Sequence, residues 1–293
     1  MSVNWQNPYE GSSGFSIKGN LHTHTSYSAC GRIALDAVIR LYEKLGYGFL
    51  SITDHCIQTD VSAFKSRPMT VLPGMEIDIK GKSHFGVVNI DASAIYYDPE
   101  ASQQQLIDRN IDAGALVILN HPDWQLREHY TIDELLALAN YDGIEIYNTV
   151  IDNLDGSSLS SAKWDRLLAS GRKVLGFANQ DFHDIPHAVD CCNVLCDNDR
   201  TPSGVLNALK SGRFYCHYGV NIKTVVREHD EITIETENAK MIRFIGMGGV
   251  VLSKIKGKSG SLQFKPEPNY TYVRAECLGE AEEISFTQPF FNK

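Results

Sequence analysis

The side chains best suited to chemistry in this sequence are histidines and acids at the edges of short apolar runs. Six of the ten histidines have this placement: His22, His24, His55, His84, His121 and His183. Five of them stand at or just past the C-terminal end of a predicted strand, whereas His84 stands just before one. Because the C-terminal ends of parallel strands form the functional face of α/β folds, the pattern predicts that these imidazoles converge. Imidazole and carboxylate groups together are typical ligands of transition metals.

The sharpest local signal is His22-Thr23-His24. Residues i and i+2 of an extended strand point to the same side, so both rings can reach one ion at about 2.0–2.1 Å. Asp181-Phe182-His183 repeats this spacing with an acid and an imidazole. A lone His-x-His is as often a pair of exposed or core histidines. The coincidence of several such signals on one predicted face favours a metal site.

Three further strand ends carry candidate ligands. Asp54-His55 ends one apolar run, and because neighbours on a strand point oppositely, one of the two is expected to face the site while the other supports it. Glu76 ends a second run, where a buried carboxylate is costly unless it is paired or bound to metal. Its two oxygens would let it bridge two ions. His121 follows a third run and precedes Pro122, which ends the strand.

The chain that positions these residues alternates short apolar runs with helical patterns up to about residue 212. The runs are 14–21, 48–53, 70–77, 85–90, 115–120, 143–147, 173–178 and 192–196, and the helical segments are 35–45, 103–113, 132–139, 158–170 and 202–210. This alternation predicts a mostly parallel sheet covered by helices, and seven or eight units favour a barrel over an open sheet. Short strands are predicted after residue 220, at 232–236, 241–246, 250–255, 261–264, 270–277 and 283–287. We therefore predict a hydrolase barrel over residues 1–220 and a small β-rich domain over 221–293.

Composition limits the partners. The net charge of −9 repels phosphate backbones, so neither long nucleic acids nor anionic membranes are expected to bind. Small anionic substrates stay possible because bound metal ions reverse the local potential. No apolar run is long enough to span a bilayer, and residues 1–14 lack the features of a secretion signal. Seven cysteines, two of them adjacent, argue against a disulfide framework, so we predict a cytoplasmic protein of undetermined oligomeric state.

The ordered motifs resemble those of the PHP (polymerase and histidinol phosphatase) superfamily. They are Leu21-His22-Thr23-His24, Thr53-Asp54-His55, Pro73-Gly74-Met75-Glu76, His84, Asn120-His121-Pro122 and Asp181-Phe182-His183. The resemblance covers roughly residues 15–220. More loosely, the segment 212–215 and the ending 272–289 look like the CehA/McbA-like metallohydrolases.

The PHP resemblance implies a distorted (β/α)7 barrel, similar to a TIM barrel, with two or three divalent ions, manganese, zinc or iron, at the strand ends. Carried over by motif, the ligand sets are His22, His24, Glu76 and Asp181 for one ion, His55 and His183 for a second, and Glu76, His84 and His121 for a third. Many members place an Asp or His after the first motif, where this chain has Ala29-Cys30-Gly31. Cys30 is then either a thiolate ligand, which would favour zinc or iron, or a small loop residue.

Other residues are assigned from their positions. Arg32 and Arg213 are candidate substrate-binding cations, and His217 is a candidate catalytic acid for the leaving group; each also has a structural interpretation. We predict that His129, His187 and His229 are surface or loop residues, that Trp164 belongs to the core, and that Cys191, Cys192 and Cys196 are buried strand thiols.

Three functions are compatible with these features. The first is a phosphoesterase that hydrolyses a small phosphorylated metabolite, such as a nucleotide, a sugar phosphate or a cyclic phosphate, by attack of a metal-bridging hydroxide. The second keeps the metals but cleaves a carboxylic or carbamic ester, as the looser resemblance allows. The third is a non-catalytic metal-binding regulatory module, which the near-complete ligand set disfavours.

Overall fold

A computed structural model of the chain describes residues 5–12, 14–79, 83–124, 129–263 and 271–292. The helices are α1 Leu35–Lys44, α2 Gln103–Asp112, α3 Ile132–Ala137, α4 Ser161–Ala169 and α5 Pro202–Lys210. The first ten strands are β1 Trp5–Gln6, β2 Ile17–Asn20, β3 Phe49–Ile52, β4 Thr70–Ile77, β5 Phe85–Val88, β6 Leu116–Leu119, β7 Gly143–Asn148, β8 Leu175–Asn179, β9 Cys191–Leu195 and β10 Phe214–Tyr218. The remaining strands are β11 Ile222–Glu228, β12 Glu231–Thr236, β13 Met241–Gly246, β14 Val250–Lys256, β15 Ser259–Gln263, β16 Tyr272–Leu278, β17 Ile284–Thr287 and β18 Phe290–Asn292.

The five helices lie where the periodicity predicts them, because each has an apolar face and recognisable ends. In α1 the buried side chains are Val38, Ile39 and Tyr42, and the chain leaves the helix at Gly46 with a φ of 78°. This left-handed conformation is unfavourable for residues with a Cβ, so glycine ends the helix at little cost. Capping boxes begin α2 and α3, and Thr201 caps α5.

Seven strands, β2 to β8, form the barrel that carries the site. β2, β3 and β4 are parallel, as are β6, β7 and β8. The ends of β8 and β2 are joined by a parallel bridge between Thr23 and Phe182, in which the His24 amide donates to the Phe182 carbonyl at 2.8 Å. The mixed α/β fold class predicted from the sequence is confirmed.

One barrel strand runs against the others and explains an irregularity in the histidine pattern. β5 is antiparallel to both β4 and β6. The start of β5 therefore lies at the same rim as the ends of its parallel neighbours. His84 directly precedes β5, so it reaches the rim at which the other histidines follow their strands.

After β8 the sheet continues into antiparallel pairing. β9 pairs with β2 and β10, β10 pairs with β17, and β1 at the start of the described chain pairs with β18 at its end. The apolar-run analysis did not predict β1, β10, β11 or β18, and Phe264 of the predicted strand 261–264 lies outside the described residues. The sequence thus anticipated an antiparallel β region, and its division at residue 220 stays a prediction.

The C-terminal strands are tied to the barrel by a buried ion pair. The guanidinium of Arg274 donates to both carboxylate oxygens of Asp165 on α4, at 2.8 and 2.6 Å. Trp164 beside it is fully buried, as predicted. Cys191, Cys192 and Cys196 are also buried, in agreement with their interpretation as strand thiols. Among the described residues, no helix is long and apolar enough to cross a bilayer.

Candidate metal centre

All eight predicted metal ligands converge at one rim of the barrel. They are supplied by the ends of β2, β3, β6 and β8, by β4, and by the residue before β5: His22, His24, His55, Glu76, His84, His121, Asp181 and His183. Most of them form the floor of a cavity of about 340 Å³, with His22 and His24 buried beneath it. Residues separated by up to 161 positions in sequence therefore form one cluster.

Four ligand atoms at the centre of the cluster have the spacing of a coordination sphere. His22 Nε2 lies 3.1 Å from His24 Nε2, from Glu76 Oε2 and from Asp181 Oδ1. His24 Nε2 lies 3.2 Å from the same two carboxylate oxygens. Ligands held at about 2.0–2.1 Å from a tetrahedral ion are about 3.3–3.4 Å apart. The four atoms thus fit one ion with little movement.

The hydrogen bonds of the two deeper histidines leave their inner nitrogens free to bind. His22 Nδ1 lies 2.8 Å from Glu145 Oε1, an acceptor, so the ring proton is on Nδ1. His24 Nδ1 donates in the same way to Ser28 Oγ at 3.4 Å, because the Ser28 hydroxyl already donates to Asp54 Oδ1 at 2.7 Å. Each Nε2 then presents a lone pair to the centre, as in metal sites whose histidines are oriented by a second hydrogen bond.

Glu76 connects this position to two others. Its Oε1 lies 3.2 Å from His121 Nε2 and 3.4 Å from His84 Nδ1. Its Oε2 lies 3.3 Å from His55 Nδ1. His24, Cys30, His55 and His183 form a further group whose ligand atoms all lie within 4.8 Å of one another. The carboxylate therefore has one oxygen toward each side of the cluster, as a bridging ligand requires.

The unsatisfied polar atoms in the cluster fit a cation. Among the described residues, six buried side-chain polar atoms lack a hydrogen-bond partner, and four belong to this site: His55 Nδ1, His84 Nδ1, His121 Nδ1 and Asp181 Oδ1. Each such atom costs about 1–3 kcal/mol when left unpaired, so their concentration at one place is unfavourable without a ligand. Nitrogen and carboxylate lone pairs that face one another are what a divalent ion satisfies.

The electrostatics also favour positive charge. Burial raises the pKa of the Glu76 carboxyl, but His22 and His84 outweigh it and hold that pKa well below its usual range. Burial acts likewise on Asp181, whose pKa is lowered well below its ordinary value by His22 and His24. Both acids therefore stay ionised, and the negative charge that they place at the floor of the cavity attracts cations.

Two ligands have backbone conformations that local preference disfavours. His121 has a φ of 31° and Asp181 a φ of 53°, in the left-handed region, and each closely follows the end of a barrel strand. Non-glycine residues in sparsely populated regions cost on the order of 1–3 kcal/mol and cluster at functional sites. The His121 amide is held by Glu145 Oε2 at 2.8 Å, so the fold maintains this orientation.

The sequence interpretation missed the residues that orient the ligands. Glu145 is buried in β7 and accepts hydrogen bonds from the amides of Asn148 and Asn179 at 2.8 and 2.9 Å, in addition to His22 and His121. Asn120 donates to Glu76 Oε1 at 2.8 Å. Glu145 carried a usable signal, because it is a carboxylate inside an apolar run, the same feature that identified Glu76.

The structure places the predicted helper residues away from the cavity. His217 lies 3.0 Å from Asp190 Oδ2 through its Nε2 and lines a different cavity, so its predicted role as catalytic acid is corrected. Arg213 pairs with Asp197 at 3.3 Å and donates to the Glu10 carbonyl. The side chain of Arg32 is 77% exposed and pairs with Asp184. Neither arginine lines the metal cavity, because nearby acids and carbonyls at the surface hold them.

Two histidines assigned to the surface or to loops belong to the site. His129 is buried, and its Nε2 accepts the His84 amide at 3.0 Å, so its prediction as a surface residue was wrong. Burial, with His121 and His84 nearby, lowers the pKa of His129 to about 2, which keeps it neutral. His187 follows its loop assignment but lines the cavity, and its Nδ1 accepts the His183 amide at 3.2 Å.

The fold and the cluster define a class, a PHP-like α/β barrel with a buried histidine–carboxylate group suited to metal. The chain matches a two-domain protein from Bacteroides vulgatus described as containing a predicted PHP-like metal-dependent phosphoesterase, with a TM-score of 0.57 and 14% identity over 100% of this chain and 90% of that one. A candidate metal-dependent phosphoesterase from Bifidobacterium adolescentis has a TM-score of 0.45 and 15% identity over 57% and 87% of the two chains. No family model and no curated protein matches the sequence. The first match confirms the PHP-like fold that the motifs indicate; the CehA/McbA-like resemblance stays a prediction.

Proposed function

We propose that this chain is a metal-dependent phosphoesterase that hydrolyses a small phosphorylated metabolite. The observation that carries the proposal is the position of Glu76, which has one carboxylate oxygen beside His22 and His24 and the other beside His84 and His121. A shared carboxylate is suited to holding two cations close together, and such pairs stabilise the attacking and leaving oxygens of a phosphoryl displacement.

The chain's own residues would bind and orient the ions. The ligand sets are His22, His24, Glu76 and Asp181 for the first ion, His55 and His183 for the second, and Glu76, His84 and His121 for a third, with manganese, zinc or iron as the candidate metals. Bound divalent ions supply an activated water and Lewis-acid stabilisation of charge. Glu145, Ser28 and Asn120 keep the ligands in the tautomer and orientation that binding needs.

The cavity wall supports a substrate with an apolar or aromatic part. Opposite the ligands, the wall consists of Trp124, Val150, Ile151 and Leu154, from the segments after β6 and β7. None of the described residues that line the cavity is Lys or Arg. The charge of a phosphate would then be met by the bound cations, while the remainder of the substrate contacts the apolar wall. Among small phosphorylated metabolites, this arrangement favours those with a ring or hydrocarbon group beside the phosphate.

A substrate panel tests this proposal. The protein is loaded with Mn²⁺, Zn²⁺ or Fe²⁺ and assayed on phenyl phosphate, glycerol phosphate, a cyclic nucleotide and phenyl acetate. We expect phosphate release, with kcat/KM for phenyl phosphate at least about tenfold above that for glycerol phosphate because the wall buries the ring. Cleavage of the acetate with no phosphate release would reject the phosphoesterase in favour of a carboxylic ester hydrolase.

His187 is our candidate for a substrate-binding residue in place of His217. Its Nδ1 accepts the His183 amide, so its proton lies on Nε2, which can donate to a substrate oxygen in the cavity. We expect His187→Ala to lower kcat/KM by about ten- to a hundredfold. His187→Gln should retain most of the activity, since a side-chain amide can both accept from the His183 amide and donate to substrate. Equal losses in the two variants, measured at matched metal content, would argue against hydrogen bonding by His187.

A further inference from the structure

We propose that Cys30 is a thiolate ligand of the second metal position, which makes it a mixed cysteine–histidine site. The inference rests on the proposed metal dependence and concerns which atoms bind. The ligand atoms of Cys30, His55 and His183 lie within 4.8 Å of one another and of His24. Because His24 Nε2 already faces the first position, the second position has Cys30, His55 and His183 as its own ligands.

The loop that carries Cys30 is fixed from two sides. Asp54 accepts hydrogen bonds from the Thr25 amide at 2.7 Å, from the Thr25 hydroxyl at 2.8 Å, and from the amide and hydroxyl of Ser28 at 3.2 and 2.7 Å. The Arg32 amide donates to the carbonyl of His183 at 2.9 Å. The loop is thus attached to the segments of two histidines of the same group, since Asp54 precedes His55.

Gly31 lets the loop turn this tightly. A Cβ at this position would lie 2.0 Å from the Thr25 carbonyl oxygen, so only glycine allows the backbone to fold back on itself here. The adjacent Cys30 side chain is therefore held at the rim of the cavity, which it lines.

Unpaired groups beside Cys30 point independently to a ligand. Asp181 Oδ1 has no hydrogen-bond partner although the Asp181 side chain is only 6% exposed, and it lies 3.2 Å from His24 Nε2. The Nδ1 atom of His55 is also buried without a partner. His183 donates its Nδ1 proton to the Asp181 carbonyl at 2.7 Å, which leaves its Nε2 available.

Ligand type decides the metal. Two histidines alone would leave the second position short of protein ligands, whereas two histidines and a thiolate give the three that catalytic zinc sites commonly have, with a fourth position for water or substrate. Thiolate is a soft ligand, so it favours zinc and iron over manganese at this position.

Cobalt(II) provides the direct test, because cobalt–thiolate bonds give an intense near-ultraviolet charge-transfer band that nitrogen and oxygen ligands do not. Titrating the full chain with Co²⁺ should produce this band. Cys30→Asp, which offers a carboxylate ligand instead, should abolish the band while bound cobalt per chain is unchanged. The matched control is Cys56→Ser, since Cys56 is half-buried near the same rim and its Sγ hydrogen-bonds to Asp78. This variant should keep the band.

A second measurement uses the unaltered protein. Cys30 is exposed, so its alkylation rate can be followed by peptide mass spectrometry with and without Zn²⁺. We expect zinc to slow the alkylation of Cys30 at least about tenfold, because a coordinated thiolate is a poorer nucleophile than a free one. Stoichiometric cobalt binding without the band, or an alkylation rate unaffected by bound zinc, would overturn the role of Cys30 but leave the metal centre intact. Failure to bind any metal would instead reject the proposed function.

Discussion

Replacing Glu76 by glutamine is expected to lower kcat/KM by about a thousandfold or more, which corresponds to about 4 kcal/mol of transition-state stabilisation. The substitution keeps the volume of the side chain but removes its charge, and its amide nitrogen cannot bind a cation. Glu76 contacts four of the predicted ligand histidines, so the loss affects every position of the cluster. We expect metal content measured by inductively coupled plasma mass spectrometry to fall together with activity.

The control for this variant is Glu235→Gln. Glu235 is exposed on β12, away from the barrel rim, so the same change in charge should leave metal content and kcat/KM unaltered. Circular dichroism and thermal unfolding establish that both variants fold. Wild-type activity in a folded Glu76→Gln protein with depleted metal would disprove the mechanism.

Removing the metal is expected to abolish hydrolysis and to lower Tm by on the order of 10 °C. Glu76, Asp181 and Glu145 are buried acids within one cluster, and a cation that binds only the folded chain compensates their repulsion. Binding at a thousand times Kd contributes about 4 kcal/mol, and about 2–4 °C of Tm accompanies each kcal/mol in a chain of this size. Dialysis against a chelator followed by differential scanning calorimetry measures both states.

Restoration completes this experiment. Adding back Zn²⁺ or Mn²⁺ should recover both Tm and activity in the wild type and in Glu235→Gln, whereas Glu76→Gln should respond weakly. Hydrolysis that persists after metal content has fallen below a small fraction of an ion per chain would refute metal dependence. A recovery of Tm without activity would point instead to a structural metal site, the regulatory alternative.

Local features of the sequence determined the ligands and most of the elements. His22, Glu76 and Asp181 were identifiable because a charged or metal-binding group at the end of an apolar run is costly unless it has a partner. The helices α1 to α5 were identifiable because amphipathic periodicity and end signals act within a few residues. Since each ligand lies close to a strand end, strand placement alone located the face of the barrel on which the cluster forms.

Tertiary structure alone decided which other side chains reach that face. The antiparallel direction of β5 brings His84 to the rim, and packing against His84 buries His129 in the site. His217 and Arg213 looked equally suitable in the sequence, yet Asp190 and Asp197 bind them elsewhere. Strand direction and the choice among polar partners depend on contacts between residues far apart in the chain, and no local pattern of residue types encodes them.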